Sequence, residues 1–334
     1  MAEFRCRDWK RAADQGILAS GTQARKLVAI HTGVSLGVTV LLTVINFILT
    51  KMIDNTGGLA GIGTRGILST AQSVLELAAM ILLPFWQIGL LKCVLQLVRG
   101  EQAQPAGLLE GLRRFGPVLR LQLLRSVLLV LIGMFCVYFA AGIFVMTPWS
   151  APLMEALEPL MTQTEMTYEQ ALAAMESIQP VMDAAVVPLM LIFGGLFAVF
   201  AVPLLYRFRM ADYLIMDVPG TGALAALRQS TRMMRRKGLK LFALDVSFWW
   251  FYLLELLAVA VGYADAMLPM AGIALPMAAD VAFFLFFGLQ VVCQLALYLW
   301  AKAKVAVTYG VFYESLEKAP VVQKPIPAPW DQNV

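Results

Sequence analysis

Long apolar stretches separated by short polar segments dominate this chain. Six stretches hold enough apolar residues to cross a hydrocarbon layer of about 30 Å, which takes about 20 residues of helix. They cover residues 27–49, 70–98, 118–146, 186–210, 241–264 and 281–302. Because each stretch is continuous and does not alternate over about ten residues, the pattern predicts helices and not the strands of a barrel.

The composition points to the same class of protein. Hydrophobic residues make up 60% and charged residues 14% of the 334 residues, whereas a globular protein has about 25% charged residues. The mean hydropathy is +0.74. These values leave too few polar residues to cover a water-facing surface, and they exclude a disordered chain, a nucleic-acid-binding protein and a secreted disulfide scaffold. We therefore predict an all-α fold, a polytopic membrane helical bundle in which residues 1–334 form a single integral membrane domain.

Lys and Arg are distributed unequally between the connections. Twenty-three of the 26 lie in the N-terminal segment 1–26, around the start of the third span, in segment 207–240 and at the C-terminal end, whereas the alternate connections hold Lys51 and Arg65. By the positive-inside rule, this asymmetry predicts that both termini are cytoplasmic, including the tail at 311–334. The six spans then form three hairpins.

The longest outer connection, residues 147–185, has six acidic residues and no basic one. Ser150 precedes an amphipathic stretch, and Thr167 with Gln170 has the spacing of a capping box before a second one. We predict two short amphipathic helices on the extracytoplasmic surface. They form either a solvated lid on the bundle or an acidic vestibule that attracts cations.

Segments 105–129 and 219–246 resemble each other, and segment 20–27 is a shorter version of the same pattern. Each combines Leu and small residues with basic residues, as interfacial helices do, and each leads into a span. We predict three units, each made of a basic interfacial helix and a helical hairpin. The strongest cluster of charge is the basic segment, residues 232–240, with Arg232, Arg235, Arg236, Lys237 and Lys240.

The basic segment is the candidate contact with the lipid bilayer. Each of its Lys and Arg residues would gain about 1 kcal/mol near anionic lipid headgroups. Two other interpretations remain open: the charges only enforce topology, or they contact a protein partner on the cytoplasmic face. No nucleic acid is expected as a partner.

Residues 206–257 resemble a known bacterial family of integral membrane proteins, the domain of unknown function 975. The resemblance covers a Tyr-rich span end, an acid-proline turn, a Met-basic-Gly step and an aromatic start of the next span. The matching positions are Tyr213, Asp217, Pro219, Ser230, Met234, Gly238, Leu241, Phe242, Ser247, Phe248 and Trp250, with further matches at 309–313 and 24–27. The resemblance implies a multi-pass protein of a bacterial plasma membrane, and it implies no activity.

Polar side chains inside the spans are functional candidates, because a charged group there costs about 2.5–3.5 kcal/mol. We predict a polar seam between spans two, five and six. Its members are Gln72, Glu76, Gln87, Glu255, Gln290 and Gln294. The seam either joins the helices through hydrogen bonds or forms a cation or proton pathway through Glu76 and Glu255.

The sequence contains few of the residue patterns that are typical of enzymes. His31 is the single histidine, and the four cysteines lie far apart, so no metal site is expected. Residues 61–66 read GxGxxG, but they lie between helices and follow no strand, which excludes a dinucleotide site. We expect no catalytic group, no cofactor and no enzyme activity. The leading hypothesis is a non-enzymatic membrane component that binds lipid or protein, and the alternative is a small-solute or peptide transporter that uses the seam.

Overall fold

The computed structural model describes residues 6–55, 62–162, 168–270, 272–273 and 276–316. These residues form α-helices and short helical turns, and no strand occurs among them. The helices are α1 (Cys6–Ala19), α2 (Gln23–Asn55), α3 (Ile62–Val98), α4 (Glu110–Arg113), α5 (Phe115–Val145), α6 (Ala151–Thr162), α7 (Tyr168–Phe208), α8 (Ala211–Asp217), α9 (Ala223–Met233), α10 (Gly238–Val246), α11 (Trp249–Gly262), α12 (Ala264–Met270), α13 (Ala279–Leu297) and α14 (Ala303–Glu314). A 3₁₀-helix (Pro105–Leu109) precedes α4, and a π-helix (Tyr298–Lys302) joins α13 to α14.

The chain divides into two compact units. The first unit comprises Met1–Leu119 and Met210–Val334, and the second comprises Arg120–Arg209. Every site described below lies within the first unit. The prediction of one integral domain over residues 1–334 stays a prediction.

Five helical stretches of the described residues are long and apolar enough to cross a membrane. They are Gln23–Ile53, Thr64–Val98, Phe115–Val145, Ile178–Asp217 and Ala279–Glu314. They contain the first, second, fourth and sixth predicted spans in full and all of the third except Met146. A sixth is reached if α10 and α11, which meet at an angle of 61°, count as one span. The predicted fifth span, 241–264, is not one straight helix, because the helix is broken at Ser247 and Phe248. That α10 and α11 cross the membrane together stays a prediction.

The acidic connection differs in part from its prediction. The first amphipathic helix is present as α6. The Ser150 hydroxyl donates to the carbonyl oxygens of Val145 and Thr147, both at 2.9 Å, so Ser150 closes the preceding turn. The second predicted helix is not separate, because α7 runs through 41 residues without interruption. At a rise of 1.5 Å per residue α7 is about 60 Å long, twice the thickness of a hydrocarbon layer.

Large apolar side chains are exposed along the spans. On α5 the exposed fraction is 57% for Leu131 and 72% for Tyr138. Apolar surface of this extent is unfavourable in water and favourable against lipid. Several apolar helices with such surfaces indicate that the protein resides in a membrane.

The buried core of the first unit lies at one end of its spans. Residues of α1, the start of α2, the end of α3, α8 and α14 supply most of it. One cluster in this core joins Leu27 and Val28 to Cys93 and Val94, with Leu108 covering them. The helices therefore pack tightly at the end that contains the start of α2 and the end of α3.

Two glycines set the distance between the 3₁₀-helix, α4 and α3. A Cβ atom on Gly89 would lie 1.9 Å from the Leu108 carbonyl oxygen, and one on Gly111 would lie 2.0 Å from the Phe85 carbonyl oxygen. Atoms this close overlap, so only glycine permits the approach at either position. The predicted interfacial helix of segment 105–129 thus begins as two short helical turns fixed against α3.

Candidate functional site

Glu255 of α11 forms a polar contact with the π-helix. The Tyr298 hydroxyl donates a hydrogen bond of 2.5 Å to the Glu255 carboxylate, and the Lys302 ammonium lies 4.2 Å from the centre of the Tyr298 ring. A π-helical turn is rare and often occurs at functional sites. The structure thus places Glu255 beside a phenol and a cation, on an irregular part of the neighbouring helix.

Gln290 and Gln294 lie half-buried on α13, which packs against α11. Gly262 of α11 provides space for Gln290, because a Cβ atom there would lie 1.8 Å from the Gln290 Oε1. These residues and Glu255 therefore occupy the contact between the fifth and sixth predicted spans.

Glu76 belongs to a different helix pair. Its carboxylate accepts hydrogen bonds from Asn46 of α2 at 3.3 Å and from Gln72 at 3.4 Å, and Glu76 and Gln87 are both exposed on α3. The contacts of the seam residues therefore fall into two groups. Gln72 and Glu76 meet Asn46 at the contact of α2 with α3. Glu255 and the two glutamines of α13 lie at the contact of α11 with α13. The described hydrogen bonds of Glu76 and Glu255 do not join the two groups.

The break between α10 and α11 is held by Lys10 of α1. The Ser247 hydroxyl donates to the Leu244 carbonyl oxygen at 2.5 Å, and the Lys10 ammonium donates to the Ser247 carbonyl oxygen at 2.8 Å. The same ammonium lies 4.1 Å from the centre of the Phe248 ring. Carbonyl groups that lose their helical partners at a break need other donors, and Ser247 and Lys10 supply them. Burial, followed by the nearby Lys304 charge, lowers the pKa of Lys10.

A row of phenol groups continues from this break. The Tyr309 hydroxyl donates to the Asp245 carboxylate, and the hydroxyls of Tyr309 and Tyr252 are 2.7 Å apart. Tyr252 precedes Glu255 by three residues, so the two share one face of α11. Polar side chains thus follow the contact of α10 and α11 with the C-terminal helix from Asp245 to Glu255.

Arg99 directly follows α3 and connects it to α8 and α14. Its Nη2 lies 2.5 Å from the Asp217 carboxylate and 2.6 Å from the Glu314 carboxylate, and the Tyr313 hydroxyl donates to Asp217 at 3.0 Å. The Tyr313 ring stacks on Tyr213 at 5.1 Å. Burial alone would lower the pKa of Arg99, but its hydrogen bonds with the two carboxylates outweigh that cost and raise it. This arrangement fixes α8 and α14 against the end of α3.

The basic segment comprises the end of α9, the turn that follows it and the start of α10. Met233 and Met234 point into the core, with exposed fractions of 6% and 2%. Arg236 adopts a φ of 64°, which allows the turn to reverse, and Arg232, Arg235 and Arg236 are exposed. At the start of α10, Leu239 is 82% exposed and Phe242 is 52% exposed. Cationic and apolar side chains therefore share this surface.

Sequence reasoning missed several residues of these sites. Asn46 is a polar residue within an apolar span, and that signal could have found it. Lys10 and Arg99 gave no comparable signal, because charges beside a span usually face the interface and their partners lie far along the chain.

Among the described residues, no group of His, Cys, Asp and Glu has the arrangement of a metal site. All-helical structure, long apolar helices and polar contacts between spans define a helical membrane protein. The family model described as "Protein of unknown function (DUF975)" matches residues 22–320. The chain belongs to this family, as the resemblance of residues 206–257 predicted. Neither the curated proteins nor the solved structures contain a match to it.

Proposed function

We propose that this protein is a non-enzymatic membrane component that binds anionic lipid headgroups through its basic segment, residues 232–240. The proposal places the segment on the cytoplasmic face of a bacterial plasma membrane, with both termini on that side and the spans arranged as three hairpins. The unequal distribution of Lys and Arg between the connections supports this orientation.

The observation that carries the proposal is the surface shared by exposed arginines and exposed apolar side chains. Leu239 is 82% exposed one turn after Arg235 and Arg236. Facing water, the Leu239 side chain would lose the benefit of burial, whereas at a membrane surface it reaches the acyl boundary while the arginines contact phosphates. A cytosolic protein partner could also bind the arginines, but it would need an apolar groove that accepts the Leu239 side chain.

Reversing two of these charges tests the proposal. In the double variant R235E/R236E, the affinity for a short-chain phosphatidylglycerol should fall by at least about 30-fold, since each basic residue contributes about 1 kcal/mol. The affinity is measured by titrating the lipid into purified protein in detergent, with the matching phosphatidylcholine as reference. High salt should weaken the wild-type binding.

The matched control is R7E/R11E, which reverses two exposed arginines on α1. This control should retain most of the wild-type affinity. An equal loss in both double variants would reveal a general charge effect and contradict the assignment to the basic segment. Unchanged lipid affinity in R235E/R236E, together with loss of a co-purifying protein, would favour a protein partner instead.

Transport remains the second candidate, and the break between α10 and α11 favours it. Spans that are interrupted near a polar residue often line substrate or ion sites in transporters. Here the bend of 61° lies two turns before Glu255, which is bonded to Tyr298 on the π-helix.

A flux experiment tests this second function. Purified protein is reconstituted into liposomes that contain a pH-sensitive dye, and a pH gradient is imposed with and without candidate small solutes or peptides. If Glu255 carries protons or cations, E255Q should reduce the flux at least tenfold, while E76Q should leave it within about twofold, because Glu76 lies between other helices. Equal flux from wild type, E255Q and protein-free liposomes would rule the pathway out.

A further inference from the structure

An apolar cavity lies between α2 and α3. Its volume is about 290 Å³, and its walls are aliphatic side chains together with the Trp86 ring and Ser35. An apolar protein cavity of about 150 Å³ accepts a benzene molecule, so this cavity has room for a larger apolar group. It is built entirely from the first unit.

The cavity is nearly as long as one leaflet of a bilayer is thick, and it lies at the middle of the spans formed by α2 and α3. Its wall on α2 runs from Val34 to Leu42, which corresponds to about 12 Å along the helix axis. The hydrocarbon layer of one leaflet is about 15 Å thick. Residues 34–42 are the middle of the stretch Gln23–Ile53, so a lipid acyl chain that enters from one end would place the far part of its length in the cavity.

Basic side chains lie beyond one end of the cavity. Because α2 and α3 are antiparallel, Val34 and Trp86 mark the same end, and Leu112 also lines the cavity. Arg113 follows Leu112 directly, and its side chain is 67% exposed, with the Glu110 carboxylate at 3.8 Å. Lys26, also exposed, precedes Val34 by eight residues, or about 12 Å along α2.

The wall at this end is fixed before any ligand binds. The Trp86 indole donates a hydrogen bond of 3.1 Å to the His31 carbonyl oxygen, and its ring stacks on His31 with 5.6 Å between ring centres. A preformed wall reduces the entropy lost on binding.

We propose that one anionic phospholipid binds at this place, with an acyl chain in the cavity between α2 and α3 and its phosphate near Arg113 and Lys26. The apolar walls select the chain, and the two cations at one end select a negatively charged headgroup. This site is separate from the basic segment, so either can exist without the other.

The retained lipid identifies the occupant. The protein is reconstituted into bilayers of equal phosphatidylglycerol and phosphatidylcholine and extracted into mild detergent, and bound molecules are counted by native mass spectrometry. We expect one phosphatidylglycerol per chain, which added inorganic phosphate does not displace. Retention of a different apolar molecule, or of both lipids equally, would overturn the proposal.

Filling the cavity tests the role of the acyl chain. Ala79→Phe places a ring in the cavity and should reduce the retained lipid at least tenfold. Ala71→Phe, at an exposed position of α3 outside the cavity, should not change it. Val38→Phe fills the cavity from the facing helix and serves as a second variant. Full retention in a folded, monodisperse Ala79→Phe or Val38→Phe protein would contradict the site.

Neutralising Lys26 and Arg113 tests whether these side chains bind the lipid headgroup. If neither cavity-filling variant folds, this experiment alone tests the proposal. In K26Q/R113Q, the preference for phosphatidylglycerol over phosphatidylcholine should fall by about 30-fold, or fivefold per residue, whereas R7Q/R11Q should keep it. An unchanged preference in K26Q/R113Q would refute the charge assignment. R235E/R236E should leave the retained lipid in place, so failure of this site and failure of the proposed function give different results.

Discussion

Replacing Arg99 with methionine is expected to lower the free energy of unfolding by about 3–5 kcal/mol. Methionine keeps most of the side-chain volume but removes the cation that lies 2.5 Å from Asp217. The Asp217 side chain is only 5% exposed, so water cannot replace the lost partner. Glu314 at 26% exposure can reach water more easily, and its contribution to the loss should be smaller. Thermal or denaturant unfolding in detergent, followed by tryptophan fluorescence, measures the change.

The control for this variant is Lys51→Met. The Lys51 side chain is 46% exposed and lies 2.7 Å from Asp280, which is 55% exposed, and an exposed pair of this kind contributes about 0–1 kcal/mol. Adding Asp217→Asn to the Arg99→Met protein should recover part of the stability, because it removes a buried negative charge that has lost its cation. If Arg99→Met were as mild as Lys51→Met, the contact of α3 with α8 and α14 would not depend on this ion pair.

Replacing Gly89 with alanine is expected to destabilise the protein by about 3 kcal/mol or more, the upper end for overpacking. The new Cβ would lie 1.9 Å from the Leu108 carbonyl oxygen. A backbone atom cannot turn away as a side chain can, so the 3₁₀-helix must separate from α3. Lost expression and a lower unfolding temperature in detergent are the measurements.

Gly37→Ala in α2 is the matched control, because nothing lies within 4 Å of the added Cβ. In an open helical position, alanine stabilises by roughly 0.5–1 kcal/mol relative to glycine. Opposite signs for the two substitutions would show that close packing, and not helix propensity, determines the effect at Gly89. A stabilising Gly89→Ala would contradict the close contact of α3 with Leu108.

The positions of most spans follow from the sequence, because a run of about 20 apolar residues has few alternatives to a helix in a membrane. The break in the fifth span does not follow. The apolar run continues through Ser247 and Phe248 without proline or glycine, and the donor that holds the break is Lys10, 237 positions away. Local pattern cannot reveal a partner at that distance.

The candidate sites could be predicted in part. Glu255 could be recognised because a charged group inside a span has a high free-energy cost. Its pairing with Tyr298, and not with the residues near Glu76, depends on which helices are neighbours. The residues that carry the family resemblance also acquire a meaning only in three dimensions. Asp217 and Tyr313 are 96 positions apart and share a hydrogen bond, while the rings of Phe248 and Tyr309 pack against each other with 6.3 Å between their centres. Two separate parts of the family pattern therefore describe one packed region.

The position of α1 has a consequence for the order of biogenesis. The Asp14 carboxylate of α1 pairs with Lys304 at 2.9 Å across 290 positions, and the Trp9 ring contacts Phe312 with 4.9 Å between ring centres. A ribosome releases α1 first, yet these partners leave it only after every span has been synthesised. During translation α1 therefore stays without these contacts, and the buried core that α1 forms with α14 can assemble only after α14 has been synthesised.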